Sequence, residues 1–197
     1  MVIVGLGNPG ARYERTRHNA GAMALAVLAE RTGTRFRRHK SGCLVGETSL
    51  AGHRAVLARP LSFMNESGRP VREVARWYGA GAKDLVVVHD EIDIAFGQVR
   101  VKRGGGTAGH NGLKSVGAHL GTKDFARVRI GVSRPAGNRD AADWVLAAFS
   151  AAERRDLPEI LERAADAVER IVEVGLDSAM NEFNGGSGGR RPRTPNP

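Results

Sequence analysis

Apolar residues fall in short runs separated by glycine-rich loops, and the period of the runs changes along the chain. Residues 2–4 form a continuous apolar stretch of strand length, followed at once by Gly5-Leu6-Gly7-Asn8-Pro9-Gly10. Met23, Ala24, Val27 and Leu28 then recur at three- and four-residue spacing. That spacing predicts a helix from Asn19, as its cap, to about Arg31, with those four on the buried side. Residues 44–50 and 54–57 read as two strands joined at Ala51-Gly52-His53, a hairpin. A helix is expected over 67–78, with Pro70 tolerated in its first turn. Residues 85–88 are wholly apolar, the mark of a central strand covered on both faces.

Residues 98–102 and 127–132 alternate and predict strands with one polar face; a short helix ending near Leu120 lies between them. A short helical piece is expected over 143–149. Leu157, Ile160, Leu161, Ala164, Val168, Ile171 and Val172 repeat at helical spacing within 151–183, a stretch broken near Gly175. Strands alternating with helices predict an α/β fold: a single-domain three-layer sandwich, its twisted mixed β-sheet flanked by helices. The expected domain covers 1–184, and the Gly/Pro/Arg-rich stretch 185–197 is expected to be a disordered tail.

Charge changes this picture more than composition does. At 197 residues, 41% hydrophobic and 26% charged, the chain is an ordinary globular domain. Thirty basic against twenty-one acidic residues leave +9, which points to a polyanionic partner, nucleic acid first, beside the plainer role of solubility. Residues 32–40 crowd together Arg35, Arg37, Arg38, His39 and Lys40, a run that reads as a solvated basic loop. The lone Cys43 excludes an internal disulfide and suits a reducing, cytoplasmic location. No apolar run is long enough to span a bilayer, and with strand-like residues beginning at Val2 no secretory signal is expected.

The glycine loop after the first strand matches the dinucleotide fingerprint Gly-x-Gly-x-x-Gly. That fingerprint needs a helix opening at the glycines and an acidic residue at the end of a second strand. Here Pro9 and the charged segment 12–17 intervene, and Glu30 closes a helix instead, so a nicotinamide cofactor is not expected. Other polar residues cluster at predicted strand ends: Asn8 with His18, Phe63-Met64-Asn65, and His89-Asp90. The glycine-rich loop bearing His110 and Asn111 is expected to join them. A histidine, an aspartate and neutral amides make a base, its orienting carboxylate and grips for carbonyls. Taken singly, His18 reads as a surface or packed histidine, Asn65 as a helix cap, Asp90 as a turn cap, and Asp90 with Glu91 and Asp93 as an exposed loop or weak cation site. Arg100 with Lys102, and Arg127 with Arg129, share one strand face that suits a phosphate as well as it suits solvent.

In these motifs the chain resembles bacterial peptidyl-tRNA hydrolases. The match runs from Val2 to about Asn184 through the glycine loop, Tyr13, Thr16-Arg17-His18-Asn19-Ala20-Gly21, Phe63-Met64-Asn65 and Ser67-Gly68. It continues in His89-Asp90-Glu91, Gly109-His110-Asn111-Gly112-Leu113-Lys114, residues 127–131 and Ala179-Met180-Asn181. The resemblance implies hydrolysis of the ester joining a peptide to the terminal ribose of tRNA, which returns stalled tRNA to use. It implies His18 as general base on water, Asp90 holding its imidazole, and Asn8 separating N-blocked peptidyl-tRNA from free aminoacyl-tRNA. Asn65 and Asn111, with Met64 and His110 beside them, would hold the peptide and ester. Tyr13 and Phe63 would line the 3′ CCA end, and Lys102 and Arg129 would grip the 5′ phosphate.

No metal, organic cofactor, membrane or obligate protein partner is implied, and a monomer is expected. Two departures touch the loops: Thr107-Ala108 replaces a frequent His-Gly pair, and Ile94-Ala95-Phe96 replaces a Pro-containing turn. The rival reading is a non-catalytic RNA-binding module, which has no need of a His18/Asp90 pair.

Overall fold

The computed structural model describes residues 1–185, so the predicted tail, beyond its first residue, lies outside the described residues. Seven strands form one mixed sheet in the order β2-β3-β4-β1-β5-β7-β6. In chain order they are β1 Val2–Gly5, β2 Arg37–Arg38, β3 Cys43–Leu50, β4 His53–Pro60, β5 Leu85–Glu91, β6 Val99–Arg103 and β7 Ala126–Gly131. β4, β1, β5 and β7 run parallel to one another. The hairpin β3–β4, the edge strand β2 and the outer strand β6 supply the antiparallel pairs. The hairpin turns through Ala51 (φ 47°) and Gly52 (φ 80°), the two left-handed residues that match the twist of its strands.

Alternation along the central strands sorts the core into two layers. Ile3, Val86, Val88, Val128 and Ile130 face α1 (Ala20–Arg31), α5 (Glu153–Val174) and α6 (Leu176–Asn184). Val2, Val4, Leu85 and Val87 face α2 (Gly68–Trp77) and α3 (Asn111–Leu120). The expected three-layer sandwich is therefore present, and the break near Gly175 falls between α5 and α6. Glycine lets α1 lie directly on the strands. A Cβ on Gly21 would stand 2.1 Å from the Val88 carbonyl oxygen, and one on Gly5 would stand 2.6 Å from the Gly21 carbonyl oxygen.

Several expectations shift. The buried side of α1 runs through Gly21, Ala24, Leu25 and Leu28, whereas Met23 and Val27 are only half-buried, because Gly21 and not a large side chain meets the sheet. Asn19 stands at the start of α1 and makes no capping bond, because its amide is committed elsewhere. Arg37 and Arg38, expected in a loop, pair with β3 as its edge strand. The short helix α4 is Ala141–Leu146, two to three residues earlier than expected: Asp140 caps it by accepting from Ala142 N, while Phe149 drops into the core.

Candidate active site

β4, β1 and β5 are parallel neighbours, so the loops leaving their C-terminal ends rise from one edge of the sheet, where open α/β folds bind ligands. The loop after β1 carries Asn8 and Tyr13 and closes in a 3-10 turn, Arg17–Asn19, that holds His18. The loop after β4 brings Phe63 and the turn Met64–Glu66. Asp90 is the penultimate residue of β5, His110 caps α3, and Asn111 opens that helix. A cavity of about 510 Å³ is lined by Asn8, Tyr13, His18, Phe63, Met64, Asn65, Asp90, His110 and Asn111. Lys102 and Arg129, also singled out in the sequence, are not among its lining residues.

The polar centre is a carboxylate shared by two imidazoles. Asp90 is buried, with His18 Nδ1 at 3.0 and 3.1 Å from its two oxygens and His110 Nε2 at 3.0 Å from Oδ1. The tautomers follow from what else each ring touches. His110 Nδ1 accepts from the backbone N–H groups of Gly112 (3.1 Å) and Leu113 (3.3 Å), so Nε2 carries the proton and donates to Asp90. With Asp90 ionised, His18 donates through Nδ1–H and keeps a lone pair on Nε2. Burial by itself would raise the Asp90 carboxyl, but the facing His18 and His110 outweigh it and hold the group far below the usual carboxylate range.

His18, Asp90 and His110 offer ligand atoms within 4.8 Å of one another, a spacing that also suits a metal ion. The His110 proton occupies the nitrogen a metal would need, because the other nitrogen is held by two donors. The trio fits a hydrogen-bond relay better than a metal site. His110, expected to touch substrate, has both ring nitrogens engaged within the protein.

Beside it, His89 is buried, with Nδ1–H donating to the Asp90 carbonyl oxygen at 2.6 Å and Nε2 without a hydrogen-bond partner among the described residues. Burial, helped by the neighbouring His110, holds its basicity well below the ordinary value of 6.5. The folded protein keeps His89 neutral, whereas the unfolded chain takes up a proton as pH falls through about 6.5. Stability should therefore decline from about that pH downward. Replacing His89 with Phe should flatten the decline in Tm between pH 7 and pH 5; an equally steep decline would assign it to other groups.

Asn8 is fixed from both sides. The Asn19 amide clamps its backbone, with Asn8 N donating to Oδ1 at 2.8 Å and Nδ2 donating to Asn8 O at 2.9 Å. The Asn8 side-chain Oδ1 accepts from Met64 N at 2.8 Å, so its Nδ2 is the half of the amide left for the cavity. Asn65 and Asn111 line the cavity as exposed residues, and Tyr13 and Phe63 meet edge to face at 6.2 Å. Ala108, on the loop where Thr107-Ala108 departs from the family pattern, has φ 46°, a conformation that glycine adopts without cost.

The basic strand face divides into two kinds of residue. Arg127 is buried, and its guanidinium donates to the carbonyl oxygens of Gly106 (2.7 Å), Gly105 (3.1 Å) and Lys123 (3.3 Å). It fastens the glycine-rich loop and is not available to a phosphate. Lys102 and Arg129 are half-buried, and Arg100 is exposed.

One wall of the cleft leaves no mark in the sequence. Ile92 and, from α4, Ala141, Ala142, Val145 and Leu146 line the cavity, a largely apolar surface facing the polar centre. Nothing in a six-residue helix without a periodic stripe announces such a role. Asn19 as a clamp was likewise not foreseen, nor was Glu91 as a lining residue, whose carboxyl is pushed up by burial.

The sequence matches the family model for peptidyl-tRNA hydrolase over residues 2–192. It is 55% identical over 183 residues to a peptidyl-tRNA hydrolase of Frankia casuarinae, covering 93% of each chain. It is 53% identical over 184 residues to one of Nocardia farcinica, covering 93% of this chain and 95% of that one. A crystal structure of peptidyl-tRNA hydrolase from Acinetobacter baumannii superposes with a TM-score of 0.87 at 34% identity, covering 93% of this chain and 94% of that one.

Proposed function

The chain belongs to the peptidyl-tRNA hydrolase family and is an enzyme of that activity, and we propose that it cleaves its ester by a water activated at His18. The observation that carries this mechanism is the His18–Asp90 contact, which fixes the Nδ1–H tautomer and leaves Nε2 as a base. Nε2 takes a proton from water as the water oxygen attacks the carbonyl carbon joining peptide to terminal ribose. Asp90 stabilises the imidazolium that forms. As the C–O bond breaks, that proton passes from His18 to the ribose oxygen, releasing a peptide acid and tRNA with a free hydroxyl. Recycling of tRNA from peptidyl-tRNA released during translation, in the cytoplasm and without a protein partner, completes the proposal. Among the described residues no helix is long and apolar enough to cross a membrane.

Asn8 is assigned the discrimination between blocked and free amines. Its cavity side is a donor, which suits the carbonyl of an N-acyl group and opposes an ammonium, itself only a donor. Asn65 and Asn111 hold the peptide and ester, and Tyr13 and Phe63 border the 3′ end. The test is hydrolysis of N-acetylaminoacyl-tRNA beside the unblocked aminoacyl-tRNA. Wild type should cleave only the blocked ester; tight tRNA binding without cleavage would move the chain to a binding role. Asn8→Asp keeps the acceptor for Met64 N and turns an acceptor toward the cavity. It should shrink the ratio of blocked to unblocked rates by roughly tenfold or more; an unchanged ratio would remove Asn8 from this role.

Lys102 and Arg129 are assigned to the 5′ phosphate. Removing one cation that neutralises a phosphate should reduce the slope of log affinity for tRNA against log salt by about 0.9. Lys102→Ala and Arg129→Ala should each do so without altering kcat. A slope equal to wild type in both would place the phosphate elsewhere.

A further inference from the structure

The apolar wall formed by α4 is held in a way its own packing cannot explain. None of the residues of α4 is buried, so the helix has no hydrophobic face to fix it on the body of the protein. Two side chains fasten it, beside a backbone bridge between Thr16 and Ala148 in the chain that follows. Trp144 donates from Nε1 to the carbonyl oxygens of Ser133 (2.8 Å) and Val132 (3.2 Å), just past the end of β7. Arg17, only 3% exposed and next in sequence to His18, lays its guanidinium 3.6 Å from the centre of the Trp144 ring.

The same guanidinium gathers the chain that leaves α4. Nη1 donates to the carbonyl oxygens of Ala148 (2.9 Å), Ala147 (3.2 Å) and Trp144 (3.5 Å), and Nη2 pairs with Glu153 at 2.6 Å. The backbone N–H of Arg17 also reaches Ala147 O at 3.2 Å. A desolvated, planar cation stacked on an indole, its two terminal nitrogens held by carbonyls and a carboxylate while Nε has no partner among the described residues, is a rigid peg, and lysine cannot reproduce it. Such a peg is more than surface chemistry requires, and it sits one residue from the base.

We infer that Arg17 is a positioning residue that pegs α4 over the cleft, so that Val145 and Leu146 form a fixed apolar seat for the side chains of the peptide. The seat rests on the proposed function, in which the cavity receives the peptidyl group. Arg17 touches neither the ester nor water; it acts through Trp144 and the helix. An esterified glycine capped by acetyl is too small to use the seat, whereas an apolar tetrapeptide fills it.

The experiment compares two substrates on one tRNA, N-acetylglycyl and an N-acetylated tetrapeptide of leucine and valine ending in glycine. For Arg17→Lys, KM for the tetrapeptide substrate should rise roughly tenfold, the worth of one desolvated cation–π contact. The kcat on both substrates and KM for N-acetylglycyl-tRNA should stay within twofold of wild type. Emission gives a second readout: in a Trp77→Phe background Trp144 is the only indole, since the chain holds two tryptophans. Arg17→Lys should redden its emission and lower its anisotropy.

Equal losses on both substrates would overturn the inference and assign Arg17 to the base or the fold; unchanged constants on both would overturn it as well. Should Arg17→Lys fail to fold, Trp144→Leu removes the stacking platform and leaves the Arg17–Glu153 pair. The same selective rise in KM is then expected of it, and its absence overturns the inference. Wild type that cleaved neither substrate would instead refute the proposed function.

Discussion

Replacing His18 with alanine is expected to lower kcat for N-acetylaminoacyl-tRNA by about 10²–10⁴-fold, the usual contribution of a positioned general base. The affinity for tRNA should stay the same, because Lys102 and Arg129 stand outside the cavity and do not depend on the imidazole. His18 has a small structural share: it is buried in a 3-10 turn whose backbone is tied to neighbouring loops, its side-chain hydrogen bonds among the described residues go to Asp90, and its ring lies 4.7 Å from that of His110. Alanine leaves Asp90 still paired with His110, so the fold should persist. Steady-state hydrolysis with filter binding of deacylated tRNA separates the two effects. A kcat within tenfold of wild type would mean that another group takes the proton from water.

Asp90→Asn should cost as much or more, through the tautomer and not through charge alone. In the Ser-His-Asp proteases the same change costs about 10⁴-fold by presenting the wrong tautomer. Here the outcome follows from His110. Its Nδ1 is held by two backbone donors, so its Nε2–H must find an acceptor, and the single oxygen of the introduced amide would turn to it. The NH2 half then takes the place of Oδ2, 3.1 Å from His18 Nδ1, while the oxygen 3.0 Å away is shared with His110; where the NH2 donates, Nδ1 becomes the acceptor. The proton moves to Nε2, and the base is lost.

The direction in which that amide turns has a consequence that charge alone lacks. Removing His110 from the Asp90→Asn variant frees the amide to rotate and offer its oxygen to His18. Asp90→Asn/His110→Ala should therefore be faster than Asp90→Asn by roughly tenfold, about 1.4 kcal/mol in the barrier. That gain should appear despite about 1 kcal/mol of stability lost with the helix cap. A double variant slower than the single one would show that His110 does more than orient the carboxylate.

Much of this arrangement was legible because the residues concerned leave a trace in the sequence. The apolar run at 85–88 and the alternation at 98–102 and 127–132 carry strand periods, and those strands pair as a mixed sheet. Asn8, His18, Asp90 and Asn111 lie in loops or at element ends predicted to converge on one edge of the sheet, a gathering that capping and turn roles alone do not explain. What was not legible depends on contacts between distant segments. Arg127 shares its alternating face with Arg129, yet one is buried under the carbonyls of the glycine-rich loop and the other is not. No spacing distinguishes them. Asn19 occupies a capping position and spends its amide on Asn8, eleven residues back. The apolar wall on α4 comes from a helix too short to show a period.

The contact of Gly21 with the Val88 carbonyl separates two kinds of inheritance in α1. Backbone atoms, with no side chain between them, set the distance from this helix to β5, and His18 and Asp90 lie three and two residues away from that stop. Substitutions at Leu25 or Leu28 change how well the core is filled, and selection reads them through abundance. A methyl group at Gly21 meets the Val88 carbonyl and would push α1 off β5, and with it His18 from Asp90. The hydrophobic side of α1 can therefore be repacked while the spacing of His18 and Asp90 stays fixed, as long as the glycine remains.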